Sequence, residues 1–207
     1  MLSWKNAHEL ARIHGDSFFV LDDELFRTNF ENLRAAFAAH YPEVQIGYSY
    51  KTNYTPHLCR IVRELGGYAE VVSEMEYQLA KRIGVPGPRI IFNGPYKSVA
   101  SFKDAALGGA TINLDSTRDL SMLIEVAASH ASVRFGIAIR CNFSLDTDDV
   151  SRFGFDVEGR DFKTALAAIS QTPNLYLKGL HCHFPDRNLE SFGRRARKLA
   201  ALVPKIF

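Results

Sequence analysis

Short apolar runs typical of β-strands alternate along this chain with amphipathic stretches, and this alternation constrains the fold more than any other feature. Six runs stand out, at residues 44–50, 68–72, 89–92, 111–114, 133–141 and 175–184. The centres of the first five fall near residues 47, 70, 90, 112 and 137, a recurrence of about 22 residues that suits parallel strands joined by helices. The sequence therefore predicts an α/β fold built from strand, short loop and helix.

The gaps between the runs carry the spacing of amphipathic helices, which we expect to connect the strands. One apolar face consists of Phe26, Phe30, Leu33 and Phe37, and a later one of Leu120, Leu123, Ile124 and Ala127. Two segments place a hydroxyl at a predicted N-cap and a carboxylate three residues later: Ser73 with Glu76, and Ser116 with Asp119. Each pair predicts a helix that begins directly after a strand.

A series of this kind either closes into a (β/α)8 barrel or lies open as a doubly wound sheet. No Gly-x-Gly-x-x-Gly follows the first run, which weighs against a dinucleotide-binding sheet. The six runs make about six of the eight βα units of a barrel, which usually takes about 250 residues. We expect residues 1–207 to form one partial barrel domain. This domain is either the N-terminal part of a larger protein or a truncated product whose open strand edges a partner protein covers.

Composition narrows the function classes. The 207 residues are 46% hydrophobic and 23% charged with a formal net charge of +2, which favours a globular protein without a basic nucleic-acid-binding surface. The three widely spaced cysteines, Cys59, Cys141 and Cys182, favour reduced thiols in the cytoplasm over a disulfide framework. No run approaches a signal peptide or a membrane span of about 20 apolar residues, so we expect no membrane association.

Lys51 ends the first run, in the segment YSYKTN (48–53). Reactive groups of barrels and open α/β sheets lie at the C-terminal ends of the strands. A lysine in the mouth of the barrel can lose hydration, which lowers its pKa and frees the amine to form an imine with a carbonyl group, as lysines do with pyridoxal phosphate. The alternative is a lysine whose ammonium simply extends to water.

His181 and His183 lie at i and i+2 in the sixth run, where alternation predicts that they share one face while Cys182 faces the other way. They can be satisfied barrel histidines, or one imidazole can stack on a cofactor ring. No third ligand of compatible spacing is near, so we do not expect a metal site.

Two charged residues lie in other apolar runs. Arg140 ends the fifth run, where it binds either a ligand anion or a neighbouring carboxylate in a structural ion pair. Glu70 lies in the second run. It can pair with Arg140, bind a ring substituent of a ligand, or face solvent at an edge of the sheet. The acidic residues Asp146, Asp148 and Asp149 lack EF-hand spacing and predict a solvated loop.

Six motifs in order resemble the fold-type III pyridoxal-phosphate-dependent decarboxylases of the diaminopimelate and ornithine decarboxylase group, which share their barrel with alanine racemase. The resemblance spans residues 20 to 195. YSYKTN resembles Tyr-Ala-Val-Lys-Ala-Asn, EVVSEME resembles Asp-Val-Val-Ser-Gly-Gly-Glu, and GLHCHF resembles Gly-Leu-His-Cys-His-Ile. IFNGPYKS, INLDS and SRFGF resemble the third-strand, fourth-strand and Ser-Lys/Arg-Phe-Gly segments.

The resemblance implies that Lys51 holds pyridoxal 5'-phosphate as a Schiff base, that His183 stacks on the ring, and that Arg140 and Glu70 belong to the cofactor site. It implies decarboxylation of a basic or polar α-amino acid, and a homodimer in the full-length form. The alternatives are a racemase or epimerase of the same barrel, and a truncated non-catalytic protein that binds the cofactor or regulates a partner.

The chain also departs from the family pattern. Pro185 and Asp186 follow the second histidine where the family has Gly-Ser near the cofactor phosphate, and Glu70 replaces an aspartate. The family's Gly-Gly-Gly loop, its Glu-Pro-Gly-Arg segment and its C-terminal β domain, which supplies a Cys and a Tyr to the partner subunit's site, would all lie after residue 207. We therefore expect the β domain to be absent from this chain and the chain alone to be inactive.

Overall fold

Helices and strands alternate through most of the computed structural model, which describes residues 2–145, 151–186 and 188–207. The chain divides into two compact units, Met1–Val44 and Gln45–Phe207. The acidic residues Asp146, Asp148 and Asp149 lie outside the described residues.

The first unit contains two helices, α1 (Trp4–His14) and α2 (Asp23–Ala38). Side chains cap both N-termini, because Ser3 Oγ accepts a hydrogen bond from the amide of Asn6 and Asp22 Oδ1 accepts one from that of Leu25. The periodicity of Phe26 and Phe30 therefore predicts a helix correctly. Its assignment as a crossover helix was wrong, since α2 precedes the first strand.

The second unit contains seven strands and six α-helices among the described residues. Its strands are β1 (Gly47–Ser49), β2 (Tyr68–Val71), β3 (Ile90–Phe92), β4 (Thr111–Leu114), β5 (Phe135–Asn142), β6 (Phe155–Asp156) and β7 (Leu175–His181). Its helices are α3 (Pro56–Glu64), α4 (Glu74–Ile83), α5 (Val99–Leu107), α6 (Thr117–Ser129), α7 (Arg160–Gln171) and α8 (Leu189–Ile206). A 3-10 turn (Gly87–Arg89) precedes β3.

All strand pairs are parallel, and the order along the sheet follows the order along the chain. Strands β1 to β5 pair consecutively, and β5 pairs next with β7. The two-residue β6, which the sequence did not predict, pairs with the end of β5 through Cys141 and Phe155. Because the order never reverses, the sheet is of the barrel type and not doubly wound. Within the described residues no pairing joins β7 to β1, so the barrel is partial.

Two helices begin directly after a strand, as their capping residues predict. Ser73 Oγ accepts from the amide of Glu76, and Ser116 Oγ accepts weakly from that of Asp119, at 3.3 and 3.5 Å. The carboxylates reach back one residue beyond the cap, because Glu76 accepts from the amide of Val72 and Asp119 from that of Asp115. Each helix is thereby fixed to the tip of the strand before it.

The core lies between the sheet and the helices packed outside it. The strand residues with the least exposure are apolar and include Val71, Phe92, Leu114, Ile137 and Ile139. On α6 the predicted apolar face is buried at Leu120, Leu123 and Ala127. This core holds the strand tips in fixed register, and the tips carry the polar side chains described next.

Candidate active site

A cavity of about 1000 Å³ opens along the inner face of the sheet. Side chains from β1 to β5, from β7 and from the loops that follow these strands line it, and they include four residues singled out in the sequence: Lys51, Glu70, Arg140 and His183. Parallel strands bring their C-terminal ends to one edge, so residues as far apart as 51 and 183 share one wall. The cavity has the size of a small-molecule site.

Lys51 lies in a turn two residues beyond β1. The observed strand is shorter than the predicted run of residues 44–50, because the chain turns at Tyr50. In this turn the amide of Thr52 donates to the carbonyl of Ser49 at 3.1 Å. The Lys51 side chain is exposed and lines the cavity. Among the described residues it forms no ion pair with a carboxylate. The amine is therefore available to a ligand, although the described residues do not bury it as the sequence argument expected.

The two histidines lie at the end of β7 and just beyond it. Burial lowers the pKa of His181 to about 3, and the positive charges of Arg140 and Lys51 add to this shift. Burial and the charge of Lys51 likewise lower the pKa of His183. Both imidazoles are neutral near pH 7. Cys182 also lines the cavity, against expectation, because the strand and its strict alternation end at His181.

Glu70 belongs to a hydrogen-bonded series that crosses four neighbouring strands, β1 to β4. It accepts from Ser49 Oγ on β1 and from Asn93 Nδ2 after β3, the latter at 2.6 Å. Asn113 on β4 in turn donates its Nδ2 to Asn93 Oδ1. Glu70 is half-buried on an inner strand, so the edge position and the pairing with Arg140 that the sequence left open are both wrong.

Arg140 takes a different partner. Its Nη1 lies 2.5 Å from Asp115 Oδ1, and both side chains are buried. This is the structural ion pair that the sequence left open, formed at the cavity wall by residues 25 positions apart. The pair fixes the guanidinium while leaving it in contact with the cavity.

A second buried ion pair was missed by the sequence analysis. Lys97 Nζ lies 2.7 Å from Asp119 Oδ2 with both side chains fully buried, and it also donates to the carbonyl of Gly94 at 2.8 Å. Asp119 Oδ2 accepts from the amide of Asp115 as well, which connects this pair to the Asp115–Arg140 pair. Lys97 lies in the loop between β3 and α5, and no periodicity in the sequence predicts its burial.

Gly94 allows two loops of this wall to approach. Its φ of +95° lies in the left-handed region, and a Cβ at this position would meet the carbonyl oxygen of Val72. Only glycine fits there without moving the backbone. The tip of β3 is thereby packed against the tip of β2.

Neither a metal site nor a membrane-spanning helix is present in the part of the chain that the structure describes. No group of three or more His, Cys, Asp or Glu side chains there is placed to hold a metal ion. No helix within the same residues is both long and apolar enough to cross a membrane.

Comparison with known proteins places the chain in a family. Residues 27–204 match the family described as pyridoxal-dependent decarboxylase, pyridoxal binding domain. The chain belongs to this family. The expected resemblance and the partial barrel fold are thereby confirmed, and the cofactor of the family is pyridoxal phosphate.

Relatives and solved structures agree with this assignment. Diaminopimelate decarboxylase of Aquifex aeolicus is 32% identical over 192 residues, which are 88% of this chain and 44% of the relative. The crystal structure of diaminopimelate decarboxylase from Methanocaldococcus jannaschii with L-lysine is 26% identical, with a TM-score of 0.85 over 95% of this chain and 49% of that one. Lysine/ornithine decarboxylase from Vibrio vulnificus, 21% identical with a TM-score of 0.72 over 99% of this chain and 54% of that one, shares the fold. The chain spans about half the length of these proteins.

The cavity residues fit the aldehyde and the ring of the family's cofactor. Lys51 presents an amine that no described carboxylate neutralises. Neutral imidazoles stand beside it, and the buried Nδ1 of His181 has no hydrogen-bond partner among the described residues. Pro185 has no backbone N–H, so this part of the wall offers one donor fewer to a phosphate group.

Proposed function

We propose that this chain is the pyridoxal-phosphate-binding part of a decarboxylase that acts on a basic or polar α-amino acid. The observation that carries the proposal is Lys51 Nζ at the tip of β1, in a cavity whose wall also presents Glu70, Arg140 and His183. Family membership and the diaminopimelate decarboxylase relatives support the reaction and the substrate class. In this proposal residues 1–207 form a partial barrel domain that acts with further βα units and a C-terminal β domain.

Each cavity residue has a role in this proposal. The Lys51 amine attaches the cofactor covalently through its aldehyde. The neutral imidazole of His183 would pack against the ring of the bound cofactor, and Arg140, fixed by Asp115, would supply positive potential at the wall. Glu70, held by Ser49 and Asn93, presents a carboxylate of fixed orientation to a ring substituent. Bound pyridoxal phosphate supplies the electron-withdrawing ring that accepts the electron pair left by departing carbon dioxide.

The setting of the protein belongs to the same proposal. We place it in the cytoplasm, because its three cysteines are unpaired. The full-length form is proposed to be a homodimer that binds a small amino-acid substrate.

A titration with pyridoxal 5'-phosphate tests the covalent attachment without requiring turnover. We expect a visible absorbance band, and borohydride reduction followed by peptide mapping should place the label on Lys51. Lys51→Ala should lose the band and the label. Lys163→Ala, which removes an exposed lysine on α7 that does not line the cavity, is the matched control and should keep both. A labelled lysine other than Lys51 would refute the assignment.

The reaction is tested on the full-length protein. Carbon dioxide release should follow addition of diaminopimelate, lysine, ornithine or arginine. Exchange of the α-hydrogen without carbon dioxide release would indicate racemisation. A band with neither reaction on any amino acid would favour a non-catalytic cofactor-binding protein.

A further inference from the structure

A third buried cation lies in the cavity wall, and the proposed function gives it no role. Arg195 is on α8, one turn after Ser191, and only 6% of its surface is exposed. It nevertheless lines the same cavity as Lys51 and His183.

Neutral groups hold the guanidinium in place. Its central carbon lies 5.4 Å from the ring centre of Phe184 and 4.8 Å from that of Phe192, so that both aromatic rings contact it. Nη2 donates to Ser191 Oγ at 2.8 Å and to the backbone carbonyl of Asp186. These contacts fix the orientation of the side chain, but none of them cancels its charge.

No carboxylate among the described residues forms an ion pair with Arg195, and its Nε is buried without an acceptor there. The other two buried cations, Lys97 and Arg140, each have a carboxylate within 2.7 Å. An unpaired buried charge is costly. Its field reaches the cavity: burial raises the pKa of Cys182 and the charge of Arg195 opposes that shift, whereas burial lowers the pKa of His183 and Arg195 adds to the lowering.

We propose that Arg195 recognises an oxyanion of the molecule that occupies the cavity. The inference rests on the proposed function, which places a phosphate monoester and an amino-acid carboxylate in this cavity. A guanidinium is planar, and the contacts with two rings fix the plane in which its remaining N–H donors lie, which suits both anions. Pro185 beside it has no N–H, so the side chain supplies a donor that the backbone of that residue does not.

The test compares charged and uncharged ligand pairs. Dissociation constants for pyridoxal 5'-phosphate and for pyridoxal are measured from the visible band in the unmodified chain and in Arg195→Met. If Arg195 binds the phosphate, Arg195→Met weakens binding of the phosphorylated cofactor roughly 10- to 100-fold and leaves pyridoxal unchanged. If it binds the substrate carboxylate, both cofactors bind as before, and the full-length variant loses affinity for L-lysine but not for its decarboxylated amine.

Arg194→Met is the matched control. Arg194 is the preceding residue, does not line the cavity and lies 3.7 Å from Glu190. Circular dichroism checks that each variant folds. If Arg195→Met fails to fold, Arg195→Lys replaces it, since lysine keeps the charge but lacks the planar guanidinium. This variant is expected to keep only part of the preference for the charged ligand of each pair.

The inference is overturned if folded Arg195 variants discriminate both ligand pairs as well as Arg194→Met does. That result leaves the proposed function intact, provided that the unmodified chain still forms the band on Lys51. An unmodified chain that gives no band with either form of the cofactor overturns both proposals.

Discussion

Two buried ion pairs support the strand tips at the scale of single residues. Lys97 with Asp119 and Arg140 with Asp115 are joined through the amide of Asp115, so a change at the buried pair can reach the cavity wall. Burial lowers the pKa of Lys97, and the carboxylate of Asp119 opposes that shift. The position of Arg140 therefore depends on residues that do not touch the cavity.

Removing one member of the Lys97–Asp119 pair should destabilise the fold strongly. We expect Lys97→Met to lower the free energy of unfolding by about 3–5 kcal/mol, because Asp119 would then be left as an unpaired buried charge. The double variant Lys97→Met with Asp119→Leu should lose less than the sum of the single variants. Urea denaturation measures each change.

An exposed ion pair of similar geometry supplies the control. Lys81 lies 2.5 Å from Asp104, but both side chains are nearly half exposed. Lys81→Met should therefore cost at most about 1 kcal/mol. If Lys81→Met and Lys97→Met lower the free energy of unfolding equally, burial does not make the Lys97–Asp119 pair more important for stability than an exposed pair.

His181 should make stability depend on pH. Its pKa is about 3 in the folded chain, against about 6.5 in an unfolded one. Between these values the unfolded state binds more protons, so the free energy of unfolding falls as the pH is lowered. From pH 6.5 to 5 we expect His181 to account for a loss of about 1.5 kcal/mol.

Urea denaturation of the unmodified chain and of His181→Gln at both pH values checks this expectation. On acidification, the free energy of unfolding should fall less in the variant than in the unmodified chain. The fall that remains in the variant includes the contribution of His183. A variant that loses as much stability as the unmodified chain would show that His181 is protonated equally easily in both states.

At the scale of elements, the capped helices fix the strand tips. Ser73 starts α4 and Ser116 starts α6, and the carboxylates that follow them accept from the loop amides. The loops at the edge of the cavity are therefore short and hydrogen-bonded at both ends. This local chemistry is readable in the sequence because each cap and its partner lie within one helical turn.

Ser73→Ala should lower the free energy of unfolding by about 1 kcal/mol, the usual cost of removing an N-cap side chain. Thermal or urea denaturation measures it. Ser121→Ala is the control, since Ser121 is exposed inside α6 and only donates back to the carbonyl of Thr117. We expect stability in the control to stay within about 0.5 kcal/mol of the unmodified chain. An equal loss in both variants would argue against the cap.

At the scale of the whole molecule, an ordered parallel sheet with two unjoined outer strands defines the site. Strand β4 is hydrogen-bonded on both sides, whereas β1 and β7 each have one partner among the described residues. The cavity runs along the inner face between these outer strands. This accounts for the exposure of Lys51, since the inner face is not enclosed by the strands described.

The sequence by itself determined the alternation of helices with the six longer strands, the helix starts at Ser73 and Ser116, and the placement of Lys51 near the tip of the first strand. These features depend on residues that are neighbours along the chain, where periodicity and capping act directly. Only the tertiary structure decided that Arg140 pairs with Asp115, that Lys97 is buried on Asp119, and that Arg195 reaches the cavity. Those contacts depend on strand register and helix packing between residues that are distant in sequence, and no local spacing encodes them.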